Sequence, residues 1–306
     1  FKTLKTINDP SHNKYRDMII DKSDAVILAG GDHITMYNGL QWKSHYFNSI
    51  RFETCCSYFN KSFFKSRDGT VYAIGNEITE NGNRKGCILK QRTGGGTFFK
   101  VFSFKSEKFN NWIQSPAVAF SSNDSCFWLS DWRGNLILLN KQTAEIYPPS
   151  TFGIDRFPRI SCMLLDRDGR SVWVGYEARN HKKSAGIVHF DDDMVIKRIT
   201  ENDGLASDRM AAIARDSSEN LWFASRGKGY GDKRRRGGVS VLRDTKLTTY
   251  LKDSDGKVFG GCNALFVDKS GTVWTHADNG FARFDGSSGS FLTVQRYHRI
   301  YPLCYI

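Results

Sequence analysis

Proline is scarce in this sequence, at 6 in 306 residues, and no apolar run approaches the roughly 18 residues that a membrane-spanning helix needs. The longest purely aliphatic stretch is Leu136, Ile137, Leu138 and Leu139. A membrane bundle, a collagen and a coiled coil all fall away. Disulfide and metal patterns are missing too. The seven Cys are an odd number, with no CxxC and no metal-type spacing, and most sit in apolar runs such as Ile160-Ser161-Cys162-Met163-Leu164. They read as buried free thiols. Adjacent Cys55 and Cys56 would point to opposite faces of a strand and are poor partners for each other.

Catalytic signatures are equally lacking. There is no HExxH, no GxSxG and no Walker-type phosphate loop, and Gly227-Lys228-Gly229-Tyr230-Gly231 is not followed by a helical pattern. The seven His are scattered, with His33 and His189 in predicted third strands and His276 in a second, where they read as structural. The chain is therefore read as non-catalytic, with no cofactor and no metal. Residues 1–8 carry neither an initiator Met nor the apolar stretch of a signal peptide, so a mature, trimmed or partial chain is expected.

Aromatics and glycine are plentiful: 22 Phe, 12 Tyr, 7 Trp and 28 Gly suit an all-β chain with many tight turns. They fall into a repeat. Residues 159–175 (RISCMLLDRDGRSVWVG), 209–225 (RMAAIARDSSENLWFAS) and 261–277 (GCNALFVDKSGTVWTHA) align as an apolar strand, an Asp turn and a Trp strand. Weaker copies lie at 16–29, 61–75 and 117–130. The aromatic column runs Ile27, Tyr72, Trp128, Trp173, Trp222 and Trp274, at spacings of 45, 56, 45, 49 and 52. Each unit continues with a Gly-opened third strand, such as Gly186 to Asp191 or Gly238 to Leu242, and a fourth after a short polar turn.

Four short antiparallel strands per 45 to 56 residues predict the blade of a β-propeller. A blade buries both faces, so its inner strands read as nearly continuous apolar runs. The Trp column is core, and Asp166, Asp216 and Asp268 are expected to hold the turn after the first strand. Six repeats are readable. Segments 1–7 and 300–306 read as a lone fourth and a lone first strand, which leaves the blade count open.

The stretch Asp203-Gly204-Leu205-Ala206-Ser207-Asp208, then Asp216, Asn220-Leu221-Trp222-Phe223-Ala224 and Gly237-Gly238-Val239-Ser240, resembles the two-component regulator propeller repeat. The match is close over 200–285, fair over 155–200 and weak before 150. The resemblance implies a seven-bladed propeller; the chain is then a segment of a longer propeller, unless its end strands close a six-bladed ring by an unusual join. It also implies a periplasmic or extracytoplasmic sensor part of bacterial membrane kinases that detect carbohydrates. Further domains of the same chain, a transmembrane helix and a kinase, would follow by that analogy.

The charge is concentrated. Of the 44 Lys+Arg against 32 Asp+Glu, net +12, the insertion 176–185 contributes +2 and the insertion 225–237 contributes +5. Both lie between the Trp strand and the Gly strand of successive repeats, so they are expected to be neighbours. The candidate ligand-binding set is Arg179, Lys182, Lys183, Lys228, Lys233, Arg234, Arg235 and Arg236, with Trp132, Arg133, Tyr176 and Tyr230. Rings beside guanidinium groups suit sugar faces and carboxylate or sulfate, which makes an anionic oligosaccharide or polysaccharide the expected partner. A solvated, self-repelling pair of loops is the plain alternative. Nucleic acid is disfavoured, because a four-residue basic run is a weak signal and the aromatics belong to the core. A protein-docking scaffold and a propeller lyase of the streptogramin-lyase type are the remaining alternatives. The lyase lacks an assignable His/Glu set.

Overall fold

The computed structural model describes residues 15–296, apart from 16, 53–61, 67, 83, 94–96, 105–112, 120–125, 132, 141–143, 155–158, 178–184, 192–193, 228–236, 279 and 286–287. The lone end strands expected at 1–7 and 300–306 lie outside these residues.

Six antiparallel sheets follow one another along the chain, all but the second in simple up-and-down order. The first contains β1 (Asp17–Ile20), β2 (Val26–Ala29), β3 (His33–Tyr37) and β4 (Trp42–Tyr46). In the second, β5 (Ile50–Arg51) and β6 (Phe63–Lys65) both pair with β7 (Val71–Ile78), followed by β8 (Arg84–Gln91) and β9 (Phe98–Phe104). The sequence repeat places one first strand there; the structure divides that place between β5 and β6. The third sheet has β10 (Ile113–Ala119), β11 (Cys126–Asp131), β12 (Leu136–Asn140) and β13 (Ala144–Tyr147).

The fourth has β14 (Arg159–Leu165), β15 (Val172–Glu177), β16 (Ile187–Asp191) and β17 (Met194–Ile199). The fifth has β18 (Met210–Arg215), β19 (Leu221–Ser225), β20 (Gly238–Arg243) and β21 (Lys246–Tyr250). The sixth has β22 (Cys262–Val267), β23 (Val273–Ala277), β24 (Gly280–Asp285) and β25 (Ser290–Arg296). No helix among the described residues is long and apolar enough to cross a membrane.

The chain divides into two compact units, the first built around sheets one to three and the second around sheets four to six. Within each, the core lies between sheets. In the first unit, Ile27, Ile34, Phe63, Val71 and Leu89 join sheets one and two, while Tyr72, Ile88, Phe127 and Ile137 join two and three. In the second, Trp173, Ile187, Met210 and Phe223 join sheets four and five, and Trp222, Val241, Cys262 and Phe291 join five and six. Apolar residues therefore leave both faces of β15 and β19, which accounts for their fully buried patterns. Cys87, Cys162 and Cys262 are buried in these cores as free thiols. Burial pushes the Cys87 and Cys262 thiols up to about 12, so they stay protonated and inert.

The Asp and Trp columns are joined by more than sequence. Trp173 Nε1 donates to Asp166 Oδ2 at 3.0 Å, Trp222 Nε1 to Asp216 Oδ2 at 2.7 Å, and Trp274 Nε1 to Asp268 Oδ2 at 2.8 Å. The other carboxylate oxygen takes backbone N–H groups of the turn, from Arg167, Asn220, and Ser270 with Thr272. One Asp thus closes the turn and satisfies the only polar atom of the buried indole. The expected turn role is present, and the bond to Trp adds to it.

Each first strand of the second unit also carries a register shift at one place, between Ile160 and Cys162, Met210 and Ala212, and Cys262 and Ala264. Such bulges re-aim side chains at a strand end. Just beyond, Gly186 adopts φ +72, and a Cβ there would collide with the Ile199 carbonyl. Gly186→Ala is expected to destabilise the fold by more than about 1 kcal/mol, read as a lowered urea midpoint.

Candidate functional site

The two basic insertions spring from the same end of sheets four and five. β15 ends at Glu177 and β19 at Ser225, followed by Arg226; register places Glu177 and Arg226 at equivalent positions. The bulged first strands bring Arg159 opposite Glu177 and set Arg209 just before Met210 in the next sheet. These four residues converge. Glu177 Oε2 accepts from Arg159 Nη2 at 2.8 Å, and its Oε1 accepts from Arg226 Nη1 at 3.0 Å and Arg209 Nη2 at 3.1 Å. The carboxylate side chain is 7% exposed and the three guanidinium side chains 12 to 19%. Burial pushes the Glu177 carboxyl up, but Arg226, Arg159 and Arg209 outweigh this and hold it below the ordinary glutamate value.

Arg209 also donates from Nη1 to the Gly227 carbonyl at 2.9 Å, and the Arg226 N–H donates to the Arg209 carbonyl at 2.8 Å. The stem of the insertion after β19 is thereby fixed to the cluster. The three guanidinium groups share the Glu177 carboxylate, and the segments that follow in the sequence carry a net +3 (178–184) and +4 (227–236).

Of the residues singled out in the sequence, Arg133 lies exposed in the turn between β11 and β12. Tyr176 is a correction. It is fully buried, with its ring 6.1 Å from that of Phe152, so it offers no stacking face to a ligand. Its neighbour Glu177 takes the opposite strand face, and the alternation sends Tyr176 into the core. Its hydroxyl has no hydrogen-bond partner among the described residues. Trp132, Arg179, Lys182, Lys183, Lys228, Tyr230, Lys233, Arg234, Arg235 and Arg236 lie outside the described residues, though the stems of the two basic loops, to which all but Trp132 belong, meet through Glu177 and Arg226.

Arg159 and Arg209 escaped the sequence reading, which looked for charge in the insertions alone. Their signal was an Arg at the head of the first-strand segment in two aligned repeats, 159–175 and 209–225. Two of the three His expected to be structural are engaged: His189 stacks on Trp173 at 4.1 Å and bonds Asp166 at 2.8 Å, and His33 bonds Asp32 at 3.0 Å, whereas the buried Nδ1 of His276 has no hydrogen-bond partner among the described residues.

No known family pattern and no curated protein matches the sequence. Solved structures do match. The β-propeller domain of Cps50 (Swd1) from Myceliophteria thermophila is 12% identical with a TM-score of 0.58, over 92% of this chain and 87% of that one. PorZ, a surface component of the type-IX secretion system of Porphyromonas gingivalis, is 14% identical with a TM-score of 0.52, over 88% of this chain and 38% of that one. The extracellular domain of a hybrid two-component system, BT3049 of B. thetaiotaomicron, is 14% identical with a TM-score of 0.47, over 93% of this chain and 46% of that one. The chain spans less than half the length of the latter two. The fold is that of a β-propeller, similar to the WD40 propeller domain of Doa1, to the Cps50 propeller and, at low identity, to the PorZ surface component.

Proposed function

We propose that this chain is a non-catalytic recognition module of an extracytoplasmic sensor or surface protein, and that it binds an anionic oligosaccharide or polysaccharide at the basic end of sheets four and five. The Glu177 cluster carries the reading. Arg159, Arg209 and Arg226 converge on the Glu177 carboxylate, and Arg209 anchors the stem of the more basic loop. Arg179, Lys182, Lys183, Lys228, Lys233, Arg234, Arg235 and Arg236 supply the contacts to carboxylate or sulfate, with Tyr230 as a stacking ring. A kinase output beyond a membrane helix is part of the same proposal, by analogy with two-component sensors.

Charge reversal at Arg234, Arg235 and Arg236 together is expected to abolish salt-sensitive retention on a polygalacturonate column. Unchanged retention contradicts the proposal. A protein partner is the second reading, favoured by the consecutive exposed residues Met194, Val195 and Ile196 on β17, an outer strand. It predicts no glycan retention at all.

A further inference from the structure

At the opposite end of the second unit, a cleft of about 480 Å³ opens between sheets five and six. At the corresponding place between sheets four and five, charged side chains bridge the boundary. There Arg167 Nε reaches Glu219 at 2.7 Å, and Arg215 reaches Asp166 at 2.5 Å and Glu219 at 3.1 Å. One sheet further on, alignment on the Asp and Trp columns puts Ser217 in place of Arg167, Val267 in place of Arg215 and Gly271 in place of Glu219. None of these residues is charged, so the ion-pair bridge is not repeated; Ser217 packs against Gly271, and the cleft opens beside them.

Into that space faces Arg243. Counting from the residue paired with each Trp, the last residue of the third strand is Asp191 in sheet four and Asp285 in sheet six, but Arg243 in sheet five. Its guanidinium lies 5.5 Å from the Trp222 ring and 5.6 Å from the Phe284 ring. No carboxylate is within ion-pair distance of it among the described residues. Two aromatic rings thus fix a planar cation whose N–H groups lack an acceptor. Tyr250 and Phe284 give the cleft a ring-lined wall, and Ser218, Asn220, Ser270 and Thr272 line it with hydroxyl and amide groups. The one acidic group in the wall, Asp216, is engaged by Asn220 and by the Trp222 indole.

We infer that this cleft binds a small hydroxylated carboxylate, a hydroxy acid or sugar acid, with its carboxylate on Arg243, its hydroxyl groups on the Ser and Thr rim and its carbon face against Tyr250. The volume is in the ordinary range for small-ligand sites. Paired donors of a guanidinium match a carboxylate in the plane, which makes the acid, and not the neutral sugar, the ligand. The site is independent of the basic loops and goes beyond the proposed recognition of a polymer.

Isothermal titration with glucuronate, gluconate and glucose at matched ionic strength tests it. Saturable binding of at least one acid below about 10 mM is expected, with glucose at least about tenfold weaker. Arg243→Asp, which restores the residue of the flanking repeats and so suits the fold, should abolish it, as should Arg243→Gln. Triple charge reversal at Arg234, Arg235 and Arg236 should leave it unchanged. The inference is overturned by absence of saturable binding to either acid, by binding that survives Arg243→Asp, or by binding that disappears with the loop charges.

Discussion

Glu177→Gln should lower the free energy of unfolding by about 3–5 kcal/mol, the usual range for removing one partner of a buried ion cluster. Gln keeps the shape and one acceptor but leaves Arg159, Arg209 and Arg226 without the counter-charge that all three share. Urea unfolding at neutral pH measures it, as a lower midpoint with an unchanged slope. The effect carries a pH signature. Because the Glu177 carboxyl is held below its unfolded value, its contribution is fully present above about pH 4.3 and is lost as pH falls through the lower folded value. The wild-type protein should lose part of its stability in that acid window, and Glu177→Gln should lose correspondingly less. A shift under about 1 kcal/mol with no change in the acid profile would show that the cluster is held by packing alone.

Trp222→Ala should cost about 3–5 kcal/mol, as for other large buried aromatics. Trp222 is 1% exposed, packs edge-on against Phe284 at 4.8 Å and Phe291 at 6.0 Å, and belongs to the core that joins sheets five and six. Trp222→Phe separates volume from hydrogen bonding. It keeps most of the ring but withdraws the donor from Asp216, for about 1–2 kcal/mol. In a double-mutant cycle, Asp216→Asn should absorb part of the Phe penalty, since the two residues share that bond. Strict additivity of the two would mean that the Asp and Trp columns serve turn and core separately.

The repeat architecture was legible because burial on both faces of a strand leaves continuous apolar runs, and because Asp and Trp recur at fixed places in each turn and strand. All six aromatic-column positions, from Ile27 to Trp274, fall in the second strand of a sheet or its equivalent. The bond from indole to carboxylate was not legible, since sequence separation alone does not show that a side chain folds back over its own turn. The candidate site was half legible. Charge in the insertions can be counted, but a sum over 176–185 does not show that Glu177 pairs with arginines of two sheets. Tyr176 stands beside an insertion in the sequence, which makes a surface ring the natural expectation. One residue of strand alternation decides its place in the core. The split of a first strand into β5 and β6 had no sequence signal, because Ile50 and Arg51 form too short a pair to show a period.

Amide hydrogen exchange with and without polygalacturonate fragments tests most directly whether the concentrated charge is the ligand surface. Slowed exchange in residues 178–184 and 226–237, with sheets one to three unaffected, is the expected result. Slowing confined to other segments, or no slowing at concentrations that saturate the column-binding protein, would contradict it.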